Sequence, residues 1–296
     1  MIAFCTSLRA RALSRDWAHH TWLLDATIAS MLAQRDVEVC VIVGCHDVPD
    51  SRWLRDPRVL FEPVTIEHPA RNFDDMSVDK VIKHSAAARR AAALGASYVV
   101  FNDADDLVSH RLGGHVADHP GAPGWFSGEY WLHTYGGWVV RLVDIDSPKA
   151  GPCVIVRTDL LQFDSPPYSG VWVSLVEGGD EHEYLQLLAR HRVPVCTIVA
   201  AGHWHYTTLM AKLGSPLERL PFPSNLVINH GDSMSTTGGR HGFPMISQLA
   251  AVKRSLVLLP TLRWASPALK REYHVPPLQS IPPSSRGSGS VFWRST

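Results

Sequence analysis

Three carboxylates stand directly after an apolar run in SYVVFNDADDLVSH, residues 97–110. The charges of Asp103, Asp105 and Asp106 repel each other at close range, and such a cluster costs stability unless a cation or hydrogen-bond donors offset it. Carboxylate oxygens are hard ligands that suit Mg²⁺ or Mn²⁺, and these ions typically bridge a carboxylate to a substrate phosphate. A solvated Asp-rich turn is the alternative, but the position after an apolar strand favours a metal-assisted site.

A second acidic pair, Asp180-Glu181, opens the helix-like stretch GGDEHEYLQLLARHR. A carboxylate placed there could accept the proton of an attacking hydroxyl group, which is general base catalysis. The alternative is a purely structural role, because Asp180 and Glu183 have the spacing of a capping box and acids favour a helix N-terminus. We expect a base at this position, with Glu181 favoured over Asp180.

Polar residues that could contact a nucleotide follow the first two strands and line the start of a helix. An Arg after the first strand could donate to a diphosphate, and an Asp at the end of the second could accept from a nucleobase. Surface Arg and Lys side chains and a turn-forming Asp are the ordinary alternatives. The candidates for contacts to such a phosphorylated ligand are Thr6, Arg9, Asp47, Lys80 and Lys83.

The elements that must position these residues alternate between strands and helices. Apolar, β-rich runs occupy residues 2–7, 37–45, 58–67 and 98–101, while helical spacing of apolar residues covers 17–35 and 78–94, with Gly95 as a C-cap. This alternation predicts an α/β fold with a mostly parallel central sheet and helices on both faces. Ligands of such sheets bind beyond the carboxyl ends of the strands, where the DADD cluster lies.

The residue composition and the pattern of apolar residues change after residue 120. Residues 124–143 are aromatic and punctuated by Gly, which indicates a small antiparallel ribbon. A strand that turns into a helix, a helix after Glu181 and a strand over 193–206 follow. Residues 246–259 resemble an amphipathic helix, and the tail is rich in Pro, Ser and Gly, which is typical of disorder. We therefore predict a catalytic domain over 1–245, a C-terminal helical extension over 246–275 and a disordered tail over 276–296.

The composition limits where in the cell we expect the protein and which partners it could bind. Lys plus Arg and Asp plus Glu number 28 each, so no bulk charge attracts the chain to nucleic acid. Five cysteines have no framework pattern, and four lie in apolar runs, as expected for buried free thiols in a reducing compartment. The N-terminal apolar stretch is too short for a signal peptide, and no apolar run reaches the roughly 20 residues of a membrane span. We expect a cytoplasmic protein.

The stretch K…AAARRAAALGASYVVFNDADD resembles the segment that leads to the Asp-x-Asp motif of GT-A fold glycosyltransferases, particularly the family-2-like inverting group. FCTSLRAR is similar to the first strand and nucleotide-facing loop of that group, and GGDEHEYLQLLARHRVPV to its acidic motif heading a helix. The resemblance covers roughly residues 1–205. The acidic pair stands in swapped order, Asp180-Glu181 for the usual Glu-Asp, and Arg89-Arg90 replaces the frequent Arg-Asn.

The resemblance implies a Rossmann-like GT-A fold and inverting sugar transfer from a nucleotide-sugar donor, assisted by Mn²⁺ or Mg²⁺, to a saccharide or lipid-linked acceptor. Asp105 would be the direct metal ligand, and Asp103 would contact the ribose or the metal. Some GT-A enzymes supply a late His to the same metal, a role that His230 could fill. Trp125 and Trp131 would border the acceptor, because aromatic faces pack against the apolar faces of sugar rings.

Two other functions stay open. A nucleotidyltransferase would also use Asp carboxylates and Mg²⁺, but its usual Gly-rich loop after the first strand is replaced by CTSLRARALSR. A binding module without chemistry would have no need for both DADD and Asp180-Glu181. Residues 246–271 could lie on an anionic bilayer as a peripheral membrane contact, although sparse charges and two prolines favour a helix packed on the domain.

Overall fold

The computed structural model describes residues 1–67, 72–134, 138–145, 153–168, 181–202, 205–229 and 261–276, with Pro69 and Gly170. The strands within these ranges are β1 (Ile2–Ser7), β2 (Val39–Cys45), β3 (Val59–Pro63), β4 (Tyr98–Phe101), β5 (Asp106–Val108), β6 (Gly124–Phe126), β7 (Glu129–Thr134), β8 (Val139–Asp144), β9 (Val154–Arg157), β10 (Phe163–Asp164), β11 (Val195–Cys196), β12 (Glu218–Arg219), β13 (Asn225–Asn229) and β14 (Leu262–Trp264). The helices are α1 (Trp17–Leu32), α2 (Phe73–Ala93), α3 (Arg111–Asp118), α4 (Glu181–His191), α5 (Thr197–Ala200), α6 (Tyr206–Lys212) and α7 (Pro267–Glu272).

Seven strands form the central sheet in the order β12-β6-β9-β4-β1-β2-β3. Strand β1 runs parallel to both β2 and β4, β3 continues parallel to β2, and β12 runs parallel to β6. Only β9 opposes its neighbours β4 and β6 within this sheet. The prediction of an α/β fold with a mostly parallel sheet is therefore confirmed.

Helices cover both faces of the central sheet, as expected from strands whose residues are apolar on both sides. Alternate β1 residues enter two different cores: Ala3 and Cys5 pack with α2 residues such as Val78 and Ile82. Ile2 and Phe4 pack on the other face with α1 residues that include Leu24 and Ile28. Helix α2 ends where the sequence predicts, because Gly95 adopts the left-handed φ of 76° that a C-terminal cap requires.

A second sheet of five strands, in the order β14-β8-β7-β13-β5, extends the predicted ribbon. Strands β7 and β8 pair antiparallel as expected, but β13 pairs parallel to β7 and antiparallel to β5. Gly124–Phe126, predicted as part of the ribbon, belongs to the central sheet instead. Strand β5 begins at Asp106, so the second sheet starts directly at the carboxylate cluster.

The described part of the C-terminal segment packs on the second sheet. Strand β14 pairs with β8, and the Tyr273 hydroxyl donates to the Pro223 carbonyl over 2.5 Å. Ala265 and Tyr273 are buried with Leu226 of β13. The amphipathic helix predicted over 246–259 and the tail after residue 276 lie outside the described residues, so the domain boundaries at 245 and 275 stay predictions.

Two smaller expectations have different outcomes. The strand predicted over 193–206 is wrong: among the residues described in this range β11 is the extended part, and the chain then turns into α5 and α6. All five cysteines are free and buried, as predicted. In the part of the chain that the structure describes, no helix has both the length and the apolar character needed to cross a bilayer.

Candidate active site

The loops that follow β1, β2 and β4 leave the central sheet at the same edge, because these strands are adjacent and parallel. Helix α2 connects the loops with two consecutive side chains. Asp79 lies 2.7 Å from His46 Nε2 in the loop after β2, and the Lys80 ammonium lies 2.5 Å from Asp103 Oδ1 in the loop after β4. Helix α2 therefore links the loop after β2 to the DADD turn after β4.

Asn102 holds the carboxylate turn in place. Its side-chain amide donates to the carbonyl oxygens of Asp103 and Asp106 at 2.8 and 2.9 Å. Its Oδ1 accepts from Asn225 Nδ2 of β13 at 2.6 Å, and Asn225 is oriented in turn by the Ser224 hydroxyl. Because these amides are buried, the network fixes the backbone of the turn against the start of the second sheet.

The three carboxylates have different surroundings. Asp103 and Asp105 are half-buried at the surface of the turn, whereas Asp106 is 5% exposed. Burial raises the pKa of the Asp106 carboxyl well above its ordinary value, the charges of Asp105 and Asp103 raise it further, and Lys80 opposes this shift. Burial lowers the pKa of Lys80, but its hydrogen bond to Asp103 and the charges of Asp103, Asp105 and Asp106 together raise it above the ordinary value, so that Lys80 is held as a cation among the carboxylates.

Asp103 and Asp105 fit a hard divalent cation by the chemistry of their donors. No group of three His, Cys, Asp or Glu side chains suited to a metal ion occurs among the described residues. Mg²⁺ typically uses only one or two protein carboxylates together with waters and substrate phosphates, so two surface carboxylates are a sufficient protein contribution. The third and inward-facing member, Asp106, instead accepts a backbone hydrogen bond from Ile228.

Lys83 does not contact the donor site, which corrects the prediction. Its side chain is 1% exposed, and its ammonium donates to Asp79 Oδ2 at 2.6 Å and to the Leu8 carbonyl at 2.9 Å. Burial raises the pKa of Asp79, but hydrogen bonds from His46 and Lys83 lower it by more, so that it lies below its ordinary value of 3.8. Lys83 is thus a buried structural cation that ties α2 to the loop after β1.

The other predicted nucleotide contacts differ in position. Thr6 is fully buried in β1, where both faces of the sheet are covered, so its hydroxyl does not reach the surface and that prediction is corrected. Arg9 is half-buried in the loop after β1. Asp47 Oδ2 accepts from the backbone nitrogen of Arg11 at 2.9 Å, which joins the loops after β1 and β2. Donor contacts by Arg9 and Asp47 stay predictions.

The aromatic candidates for the acceptor side lie in packed regions. Trp125 is 1% exposed in β6, with its ring centroid 5.3 Å from that of His115 and 5.6 Å from that of Tyr98. It therefore packs in the core and presents no face to a sugar, which corrects the prediction. Trp131 is half-buried on the face of β7 that packs with Leu226 and Tyr273, and its acceptor role stays a prediction.

Of the predicted base residues and the predicted metal-ligating His, the structure describes only Glu181. Asp180 and His230 are outside the described residues, and Glu181 is described only as the first residue of α4. Sequence reasoning missed the Asn102–Asn225 hydrogen bond, because its partners are 123 residues apart. Nor did it mark Asp79 as the shared partner of His46 and Lys83; an Asp four residues before a Lys on a helix is the one local hint.

The comparisons with known proteins give structural likenesses only. No family model matches the sequence, and no curated protein matches it. The S. aureus TarS 1–349 structure in complex with UDP-GlcNAc is 11% identical, with a TM-score of 0.45 over 79% of this chain and 60% of that chain. The chain thus spans less than two thirds of that structure.

Two further solved structures show similar levels of likeness. The catalytic domain of Drosophila β1,4-galactosyltransferase 7 in complex with xylobiose is 10% identical, with a TM-score of 0.37 over 78% of this chain and 71% of that chain. A CMP:2-keto-3-deoxy-manno-octonic acid synthetase in complex with CTP is 13% identical, with a TM-score of 0.38 over 88% of this chain and 98% of that chain. Glycosyltransferases are thus among the structures to which the chain is similar, but likenesses at this level do not determine its reaction.

Proposed function

We propose that this chain transfers a sugar from a nucleotide-diphosphate donor to an acceptor hydroxyl, with inversion at the anomeric carbon. The observation that carries the proposal is the DADD turn at the carboxyl end of β4, pinned by Asn102 and joined by Lys80 to α2, whose Asp79 and Lys83 contact the loops after β2 and β1. Surface carboxylates beside loops that bear Arg9 and Asp47 make a site for a phosphorylated, metal-associated ligand.

Asp103 and Asp105 would hold Mn²⁺ or Mg²⁺, with His230 as a further ligand. The ion supplies Lewis-acid stabilisation of the departing nucleoside diphosphate when it is bound. Lys80 fixes the Asp103 carboxylate through its 2.5 Å contact, and Asn102 fixes the backbone between the two ligands. Arg9 would donate to the diphosphate and Asp47 would accept from the nucleobase.

Glu181, or Asp180 beside it, would act as the general base. As the acceptor oxygen forms its bond to the anomeric carbon, the bond from that carbon to the β-phosphate oxygen breaks and the nucleoside diphosphate leaves with the electron pair. The acceptor proton passes to the carboxylate. The support for this step is the resemblance of the acidic motif and its place at the start of α4.

The experiment is a donor screen that follows two products separately. Incubation with a panel of nucleotide sugars and Mn²⁺ should release nucleoside diphosphate for one donor. The same enzyme with nucleoside triphosphates and sugars should release no pyrophosphate. Pyrophosphate release alone would instead identify a nucleotidyltransferase, and binding of a nucleotide sugar without release of either product would identify a binding module.

The location and the acceptor are part of the same proposal. A saccharide acceptor is the simplest partner for this site, and a lipid-linked acceptor would bring the protein to a membrane surface as a peripheral contact. A cytoplasmic location agrees with five free, buried cysteines. Co-sedimentation of the full chain with anionic vesicles tests the peripheral contact, which retention in the supernatant at low salt would rule out.

A further inference from the structure

A lysine of α2 supplies a positive charge to the carboxylate turn. The Lys80 ammonium lies 2.5 Å from Asp103 Oδ1, and the two side chains are partly exposed, at 29% and 38%. The charges of Asp105 and Asp106 also act on this ammonium. Lys80 therefore provides part of the charge compensation that a cluster of carboxylates needs.

The helix backbone that carries Lys80 is held in place before and after this residue. Asp79 lies 2.7 Å from His46 Nε2, and Lys83 donates to the Leu8 carbonyl at 2.9 Å. Asp79 and Lys83 are buried, so these contacts fix α2 against the loops after β2 and β1. The Lys80 side chain is a flexible four-carbon chain with rotatable donors. Any adjustment to a ligand at the turn must therefore come from this side chain.

Lys80 and a divalent cation compete for Asp103. A cation beside a carboxylate typically lowers the affinity of that carboxylate for a proton by about 10- to 1,000-fold, because positive charges repel at close range. An ion held by Asp103 and Asp105 would be repelled by Lys80 in the same way and more strongly, since its charge is double. The contact that fixes Asp103 thus also weakens the binding of a metal ion at the turn.

A donor diphosphate offers the Lys80 ammonium a second acceptor. Mg²⁺ held by carboxylates typically bridges to substrate phosphates, with its oxygen ligands about 2 Å from the ion. The phosphate oxygens of such a ligand would lie within a few ångströms of Asp103, which the ammonium already contacts. Hydrogen bonds between an ammonium and phosphate oxygens are charge-assisted and strong. Lys80 can thus exchange Asp103 for a phosphate without movement of α2.

We propose that Lys80 couples metal binding to donor binding, because its ammonium moves from Asp103 to the diphosphate when both ligands bind. The inference rests on the proposed function, since it needs a diphosphate beside the metal ion. Metal alone binds weakly because Lys80 opposes it, whereas metal and diphosphate together bind tightly because Lys80 then stabilises the phosphate charge. By linkage, each ligand raises the affinity for the other by the same factor.

A purely orienting role of Lys80 predicts a change of the opposite sign. If its contact only held Asp103 in the geometry that a metal ion needs, removal of the ammonium would lower the affinity for metal. If the ammonium competes with the metal, its removal raises that affinity. The sign of the change therefore distinguishes the two roles, which a loss of activity alone would not do.

The test is calorimetric titration of the full chain with Mn²⁺ alone, and with inorganic pyrophosphate at saturating Mn²⁺. Lys80→Met should bind Mn²⁺ about tenfold more tightly than the native chain and pyrophosphate about tenfold more weakly, which corresponds to about 1.4 kcal/mol in each case. Lys80→Arg keeps the charge and should keep the weak Mn²⁺ binding. Arg89→Met, which removes an exposed cation from the same helix, is the matched control. Lys80→Gln repeats the titrations, and thermal denaturation checks that each variant is folded.

The outcomes separate this inference from the proposed function. Weaker or unchanged Mn²⁺ binding by Lys80→Met, or tighter binding by Lys80→Arg as well, would overturn the inference whether or not a donor is turned over. Pyrophosphate binding that is absent, or that is equal in the native chain and Lys80→Met, would also overturn it. The expected signs in a protein that turns over no nucleotide sugar would sustain the coupling by Lys80 and defeat the proposed reaction.

Discussion

Replacement of Lys83 by Met tests whether this lysine is a structural cation or a donor contact. The ammonium is buried and bonded to the Asp79 carboxylate and the Leu8 carbonyl. Removing one member of a buried ion pair leaves the other uncompensated, which costs about 3–5 kcal/mol. His46 still contacts Asp79, so we expect the lower end of this range. About 3 kcal/mol corresponds to a fall in Tm of about 6–12 °C for a domain of this size.

The assay is urea denaturation of three variants followed by fluorescence. Arg89→Met removes an exposed cation from the same helix and should change the free energy of unfolding by less than about 0.5 kcal/mol. The double variant Lys83→Met/Asp79→Leu should recover part of the loss, because replacing both members of a buried pair by apolar groups is often neutral. It should not recover all of it, since His46 then loses its acceptor.

The pH dependence follows from the lowered pKa of Asp79. A carboxyl whose pKa is lower in the folded state than in the unfolded state stabilises the fold above its ordinary pKa, here 3.8, and loses that contribution as the pH falls further. The stability difference between the native chain and Asp79→Leu should therefore be constant above about pH 5 and shrink below it. Unchanged stability in Lys83→Met, together with a raised KM for the donor, would refute the structural role.

Three further predictions test the frame around the site. Gly44→Ala should lower the free energy of unfolding by about 1–3 kcal/mol, because a Cβ there would lie 2.5 Å from the Lys83 carbonyl oxygen. Gly114→Ala in α3 has open space around the new Cβ, so it should raise the free energy of unfolding by about 0.5–1 kcal/mol in the same denaturation assay. Asn102→Ala should lower the free energy of unfolding by about 1–3 kcal/mol, because the buried Asn225 amide then has no acceptor. It should also weaken Mn²⁺ binding measured by calorimetry, because the carboxylate turn is no longer held in place. Unchanged metal affinity would contradict this role of Asn102. Glu181→Gln should lower kcat about 10²-fold at unchanged donor affinity in steady-state assays, and a loss of stability at unchanged kcat would leave it only a helix cap.

The alternation of strands and helices was sufficient to predict the central sheet, because both periodicities are local. The same reasoning located Asp103 and Asp105, since a polar cluster after a buried strand must emerge at the carboxyl edge. Lys80 and Lys83 look equivalent in the sequence, yet three residues advance a helix by about 300°, so the two side chains point about 60° apart. That difference turns Lys83 into the interior and leaves Lys80 beside Asp103.

Long-range pairing accounts for what the sequence did not reveal. Trp125 and Trp131 stand in one aromatic stretch, but β6 joins the central sheet and β7 the second one, so their surroundings differ. The turn depends on Asn225, which reaches Asn102 only after β13 has paired with β5. Trp264 likewise meets Trp138 only because β14 pairs with β8. None of these contacts leaves a periodic signal in the sequence.

The most direct test of the central claim is nucleoside diphosphate release by Asp105→Asn, measured beside the native chain in Mn²⁺ and in EDTA. We expect release by the native chain in Mn²⁺, near-complete loss in EDTA with recovery when Mn²⁺ is restored, and near-complete loss in the variant at unchanged thermal stability. Asp118→Asn, at an exposed carboxylate on α3, should behave like the native chain. Full release by Asp105→Asn, or by the native chain in EDTA, would contradict a carboxylate-held metal at the end of β4.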